Sequence, residues 1–199
     1  GGKLFNVSCL CRRDGRVEVQ YKLHVTPGEV TDWQIQGGQA LRSFDTDFGR
    51  IGILICYDNN IIENVRATAL LGADIIFMPH VTLCTTSTRP GAGFVDPQLW
   101  HNREKDPTSL RIEFDGLKGR AWLMKWLPAR AYDNGIYVVF ANPIGMDDDQ
   151  LKNGCSMILD PFGDIIAECR KLDNDLVTAT LFQEKLEQAG GYRYRKARR

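Results

Sequence analysis

A thiol, an ammonium and three carboxylates stand in this chain at spacings that suit nucleophilic chemistry. Cys56 ends an apolar run over residues 51–55 and is followed by Tyr57, Asp58 and, seven positions on, Glu63. Lys22 ends a strand-like run over residues 17–21, and Glu29 follows seven positions later, past Pro27-Gly28, so a turn can return its carboxylate to the ammonium. A free thiol of pKa about 8.5 is only a few per cent thiolate at neutral pH, so a hydrolase built on Cys56 needs a cationic neighbour such as Lys22. A unit charge at about 4 Å and an effective dielectric of about 20 is worth roughly 4 kcal/mol, or about three pKa units. Each residue also has an ordinary reading. Unpaired cysteine packs mostly as a small buried hydrophobe, and a lysine at a strand end is usually solvated.

The elements that must position these groups follow from pattern. The apolar run at 51–55, opened by a Gly49-Arg50 turn, predicts a buried strand that delivers Cys56 at its carboxyl end. Asn60 and Glu63 have the N-cap and N3 spacing of a helix start, with Ile61, Val65 and Leu70 as its core face and Gly72 as its end. A second apolar strand at 75–78 completes a parallel crossover unit. Such sheets bind ligands at their strand-to-helix junctions, where Cys56 stands. Upstream, residues 4–11 and 17–21 predict a hairpin through Asp14-Gly15. Residues 31–39 read as loop, and 40–44 as a strand turning back into the Cys56 strand. Residues 80–116 show no sustained period and are expected to form a long loop lining the substrate pocket, with His80 and His101 as loop or wall residues. Residues 117–133 predict a helix that Pro128 kinks or divides. Strands are expected at 136–141, 155–159, 165–169 and 176–181, and an exposed polar loop at 147–152. The basic tail, residues 192–199, reads as a solvated or partner-docking terminus.

The chain has 199 residues, 43% of them hydrophobic and 25% charged, enough for one well-buried domain over residues 1–199. Lys plus Arg and Asp plus Glu both number 25, and a net charge of +0 gives no electrostatic reason to expect nucleic acid or an anionic membrane as partner. No run approaches the roughly 18 apolar residues of a membrane span, and the start lacks a signal-peptide layout, so a soluble cytoplasmic protein is expected. The six cysteines are scattered through the chain and are expected to be reduced thiols. Cys9 and Cys11 share a strand face but lack further ligands at metal-site spacing, which favours packing over a metal clip. Without any C-x-x-C, a redox or metal thiol function ranks lower still.

Several motifs in order along the chain resemble those of the carbon-nitrogen hydrolase (nitrilase) superfamily. They are Tyr21-Lys-Leu-His-Val-Thr-Pro-Gly-Glu29, Phe48-Gly-Arg-Ile-Gly52, Ile55-Cys-Tyr-Asp58 with Glu63, Arg130-Ala-Tyr-Asp-Asn134 before Tyr137-Val-Val-Phe-Ala-Asn142, and Gly154-Cys-Ser-Met-Ile-Leu-Asp-Pro-Phe-Gly163. The resemblance implies a four-layer α-β-β-α sandwich that usually forms a homodimer or a larger homo-oligomer. It implies Cys56, Lys22 and Glu29 as catalytic residues, the Tyr57 backbone N–H as an oxyanion donor, and Asp58 and Glu63 as supporting residues. No cofactor or metal is expected. The substrate would be a small amide, N-carbamoyl compound or nitrile. The Cys-Tyr-Asp triplet resembles amide and carbamoyl hydrolases, whereas nitrile-specific members tend to carry Trp-Glu after the cysteine. A further glutamate of the superfamily, the general base, lies far upstream of the lysine and has no counterpart here. The chain is therefore expected to be an incomplete version lacking the first strand and helix, with a noncatalytic scaffold as the alternative function.

Overall fold

The computed structural model describes residues 2–86 and 93–192. After a short β1 (Leu4–Phe5), the expected hairpin forms: β2 (Val7–Cys11) pairs antiparallel with β3 (Val17–Tyr21), Val7 opposite Tyr21 and Cys11 opposite Val17. Gly15 turns it at φ +83°, a conformation that Cβ-bearing residues rarely adopt. Cys9 and Cys11 do share a face, but that face is exposed, so the two thiols are not core packing. The region expected to be loop holds α1 (Pro27–Thr31) and β4 (Ile35–Gln36), the latter parallel to β1. Then come β5 (Ser43–Thr46) and β6 (Gly49–Ile53), an antiparallel pair, a 3-10 turn (Cys56–Asn60), α2 (Ile62–Leu70) and β7 (Ile75–Pro79). Asn60 is thus the end of the cysteine turn. The N-cap of α2 is Ile61, which makes no side-chain cap.

The 80–116 stretch is more structured than expected. It contains α3 (Pro97–His101) and α4 (Pro107–Asp115), each capped by an aspartate, Asp96 and Asp106, with proline in the first turn. An Asp-Pro pair fixes a helix start even where no long apolar period follows. The next predicted helix is divided as Pro128 requires, into α5 (Arg120–Leu123) and α6 (Leu127–Tyr132). Beyond β8 (Tyr137–Ala141), residues 147–152 are not an exposed loop. They join β9 (Ile144–Asp147) to β10 (Gln150–Asn153), an antiparallel ladder in which Lys152 is buried. β11 (Met157–Leu159) and β12 (Ile165–Glu168) follow. Residues 176–181 form no strand: Tyr137 Oη binds the backbone of Phe182, and Leu181 packs on the sheet, in place of a ladder. α7 (Gln183–Tyr192) ends the described chain, and the basic tail beyond Tyr192 lies outside the described residues.

The central sheet has the order β12-β11-β8-β7-β6-β5, with β6, β7 and β8 parallel. One face packs Leu54, Ile76, Met78, Val138 and Phe140 against Val65 and Ala69 of α2, Leu123 of α5, and Leu127 and Ala131 of α6. Gly52 sits where α2 presses on β6, since a Cβ there would stand 2.3 Å from Thr68 Cγ2. The opposite face, with Ile51, Ile53, Ile75 and Tyr137, meets Leu10 of β2 and Leu186 of α7. The layering is that of an α-β-β-α sandwich, with helices α2, α5 and α6 outside the central sheet and the β2–β3 hairpin on its inner side. No helix among the described residues is long and apolar enough to cross a membrane.

Candidate active site

Lys22 follows β3, and its backbone is held on both sides. Its N–H donates to Asn6 O at 2.9 Å, and its carbonyl accepts from Gly38 N–H at 2.8 Å. A Cβ at Gly38 would lie 2.6 Å from Tyr21 Cβ, so only glycine lets this second segment pass so close. The side chain is 2% exposed, and Nζ lies 2.5 Å from Glu29 Oε2. An ammonium this deep requires a carboxylate partner.

Glu29 reaches Lys22 because it is the N3 residue of a capping box on α1. Its Oε2 accepts from Thr26 N–H at 2.7 Å, while Thr26 Oγ1 accepts from Glu29 N–H at 3.4 Å. Oε1 accepts from Asn6 Nδ2 at 2.8 Å. Burial alone would raise the Glu29 pKa. The bonds from Lys22, Thr26 N–H and Asn6, with the Lys22 charge, outweigh it and hold the pKa at about 2. Such a carboxylate is ionised at neutral pH and fully engaged, which suits it to fixing Lys22 and makes it a weak proton acceptor.

Cys56 opens the 3-10 turn at φ +52°, in the left-handed region, which costs an L-residue roughly 1–2 kcal/mol. Its half-buried Sγ lies 3.8 Å from Val81 O. The turn is tied to the lysine segment by Asp58, which is 1% exposed. Asp58 Oδ2 accepts from Leu23 N–H at 3.0 Å, and Oδ1 accepts from His24 N–H at 2.8 Å. Cys56 and Lys22 are therefore each two residues or fewer from a shared buried carboxylate clamp. Tyr57, half-buried, is the second residue of the same turn.

Glu63 is placed differently. It is exposed in the first turn of α2, where its charge acts on Arg130. His80 lies in the connection after β7. It is buried behind the cysteine turn with its ring 5.2 Å from that of Phe140 and 6.2 Å from that of Trp126, and Nδ1 lies 3.3 Å from Asn59 Nδ2. His101 is exposed at the end of α3. Asn6, Asn59 and Asn64 are site neighbours that the sequence does not single out. Their only signal is a short polar side chain: Asn6 within a predicted strand, Asn59 after the cysteine strand and Asn64 within a predicted helix. Burial pushes the Cys84 thiol up to about 12 and the Cys155 thiol up to about 11, so both remain protonated packing groups. Among the described residues no cluster of three or more His, Cys, Asp or Glu side chains could hold a metal ion.

Comparison with known proteins shows the family and the fold. The family model described as carbon-nitrogen hydrolase matches residues 1–190. An (R)-stereoselective amidase from a Pseudomonas species is 30% identical over 169 residues, which cover 84% of this chain and 48% of the amidase. The crystal structure of a carbon-nitrogen hydrolase from Helicobacter pylori G27 superimposes with a TM-score of 0.71 at 19% identity, covering 94% of this chain and 59% of that one. An amidase from Nesterenkonia sp. AN1, whose active-site cysteine had undergone Michael addition of acrylamide, superimposes with a TM-score of 0.58 at 22% identity, covering 82% of this chain and 52% of that one. The chain spans about half the length of these relatives.

Proposed function

Because this chain belongs to the carbon-nitrogen hydrolase family, we propose that it hydrolyses the C–N bond of a small amide or N-carbamoyl substrate with Cys56 as the nucleophile. The observation that carries this reading is the clamp: one buried carboxylate, Asp58, ties the turn bearing Cys56 to the segment bearing buried Lys22 and its half-buried partner Glu29. The Cys56 thiol gives up its proton as it attacks. The sulfur attacks the carbonyl carbon, the C=O electrons move to oxygen, and the oxyanion is held by the Lys22 ammonium and the Tyr57 N–H. Such a preorganised donor is worth about 3–4 kcal/mol of barrier. The C–N bond breaks, the amine leaves with a proton, and a thioester remains. Water then adds to the thioester, and the carboxylic acid departs as the thiol is restored. Glu29 keeps Lys22 in place throughout. The active-site cysteine of the Nesterenkonia amidase is a precedent on the same fold.

One observation favours a second reading, a noncatalytic scaffold. The carboxylate that Lys22 binds has a pKa of about 2, so it is not tuned as the general base that deacylation calls for. The test is turnover of a panel of amides, N-carbamoyl compounds and nitriles, combined with hydroxylamine trapping of an acyl-thioester. Amide turnover lost in Cys56→Ala, with a trapped acyl group on Cys56 of the wild type, is the expected result. Residual turnover in the variant, or faster turnover of a nitrile than of its amide, would overturn it. Absence of both turnover and trapping would leave the scaffold reading in force. Assembly as a homodimer or larger homo-oligomer is part of this proposal and is read by light scattering.

A further inference from the structure

The Arg130-Ala-Tyr-Asp-Asn134 motif has no part in the chemistry above, yet it is built against the back of the cysteine turn. Arg130 lies in the last turn of α6, and its guanidinium reaches across to the turn: Nε donates to Asn59 O at 3.3 Å and Nη2 to Asn60 O at 3.0 Å. Its carbon Cζ stands 5.6 Å from the centre of the Trp126 ring. Asn134 Nδ2 donates to Arg130 O at 2.8 Å and closes the end of the helix, while Ala131 is wholly buried in the core. The preceding turn carbonyl, Asp58 O, accepts from Ile61 N–H and from Asn64 Nδ2, both at 3.3 Å. The carbonyls that the short turn cannot satisfy within itself are thus taken up, two of them by one side chain. Burial lowers the Arg130 pKa against the opposing charges of Asp133 and Glu63, but a guanidinium remains charged in proteins. Its rigid planar fork can bind the carbonyls of consecutive residues, which a lysine ammonium, a point charge on a flexible stem, does not reproduce.

We propose that Arg130 is a positioning residue for the Cys56 reaction. By bracing the carbonyls of Asn59 and Asn60 it fixes the direction of the five-residue turn, and with it the placement of Cys56 Sγ and the Tyr57 N–H relative to Lys22. A turn beginning at a strained left-handed residue needs such a brace, because releasing its far end lets the backbone at Cys56 relax toward an ordinary conformation. The inference rests on Cys56 being the nucleophile, but its main test reads the thiol and does not require turnover.

The test is alkylation of Cys56 by iodoacetamide across the neutral and alkaline range, followed by peptide mass spectrometry. It compares wild type, Arg130→Lys and Arg130→Ala, each with and without a low, non-denaturing concentration of guanidinium or of sodium chloride, and thermal unfolding is recorded in parallel. Arg130→Ala is expected to slow alkylation about tenfold and to move its midpoint to higher pH, with partial rescue by guanidinium and none by sodium chloride. Arg130→Lys, which keeps the stem and the charge, is expected to remain impaired and carries the comparison if the alanine variant does not fold. An unchanged rate and midpoint, or a loss that follows unfolding and ignores guanidinium, would overturn the proposal. Where the wild type turns over an amide, Arg130→Lys should lower kcat with little change in KM. A wild type without turnover but with the same Arg130 effect on alkylation defeats the hydrolase reading and supports this one.

Discussion

Asp58 Oδ1 accepts the His24 backbone N–H at 2.8 Å and stands 3.1 Å from the ring Nδ1, which also lies 3.0 Å from Asn64 Nδ2. With Leu23 N–H on the other oxygen, a fully buried carboxylate holds two segments that are 34 and 35 residues apart in the chain. Hydrogen bonds to a charged group contribute about 1.5–3 kcal/mol each. Asp58→Ala is therefore expected to lower the unfolding free energy by about 3 kcal/mol and to lose most Cys56 reactivity, while Asp58→Asn, with one acceptor oxygen, falls between. Urea unfolding checks the first and thiol titration the second. An alanine variant as stable as the wild type contradicts the clamp.

Glu29 gives a pH signature. Its folded pKa, about 2, lies below the ordinary 4.5, so the stability it contributes is fully present above about pH 4.5 and is lost as pH falls toward 2. Part of the shift is screened by solvent, which leaves roughly 2 kcal/mol. Glu29→Gln should flatten the acid limb of the stability curve between those two pH values. Denaturant midpoints at stepped pH measure it, and an acid limb equally steep in the variant would count against the Lys22–Glu29 pair as drawn.

Lys22 and Glu29 should behave as a coupled unit. Lys22→Met takes the charge partner from a half-buried carboxylate that keeps its bonds from Thr26 N–H and Asn6 and is expected to cost about 2 kcal/mol of stability, part of which returns in Lys22→Met with Glu29→Gln. The single variant should also lower kcat far more than it raises KM, since the ammonium acts on charge formed in the transition state. Additive losses in the double variant, or an effect on KM alone, would reassign the lysine.

Backbone strain at Cys56 makes a prediction of its own. Glycine adopts φ near +52° without steric cost, whereas alanine keeps the penalty. Cys56→Gly should thus unfold at a higher denaturant concentration than Cys56→Ala, by about 1 kcal/mol, with both variants inactive. The reverse order of midpoints would place the strain elsewhere.

The strands around the site are legible because residues 51–55 and the strands β7 and β8 are short apolar runs that suit a sheet buried on both faces. Lys22, Glu29 and Cys56 were legible as individual residues. Asp58 as the link between them was not, since a contact across 34 residues leaves no trace in local pattern. The division of the helix at Pro128 follows from the missing backbone donor. The cysteine turn was misjudged because Asn60 looks like a cap, whereas its carbonyl is engaged by Arg130. Helices α3 and α4 are too short for a visible period, although Asp96-Pro97 and Asp106-Pro107 mark both starts. The polar run at 147–152 has the composition of an exposed loop, yet Lys152 is buried in β10 and meets Gln150 and Asp147 along the same hairpin.

The ties on the cysteine turn reach across 34 residues to His24, 21 to His80 and 71 to Arg130. None can form in a locally folded segment, and each requires a long loop of chain to close first. The turn is thus held in place only once the segments bearing His24, His80 and Arg130 have come together around it. The left-handed backbone at Cys56 is likewise held by the finished fold, so hydrogen exchange at the amides of this turn is expected to report the closure of those distant segments together.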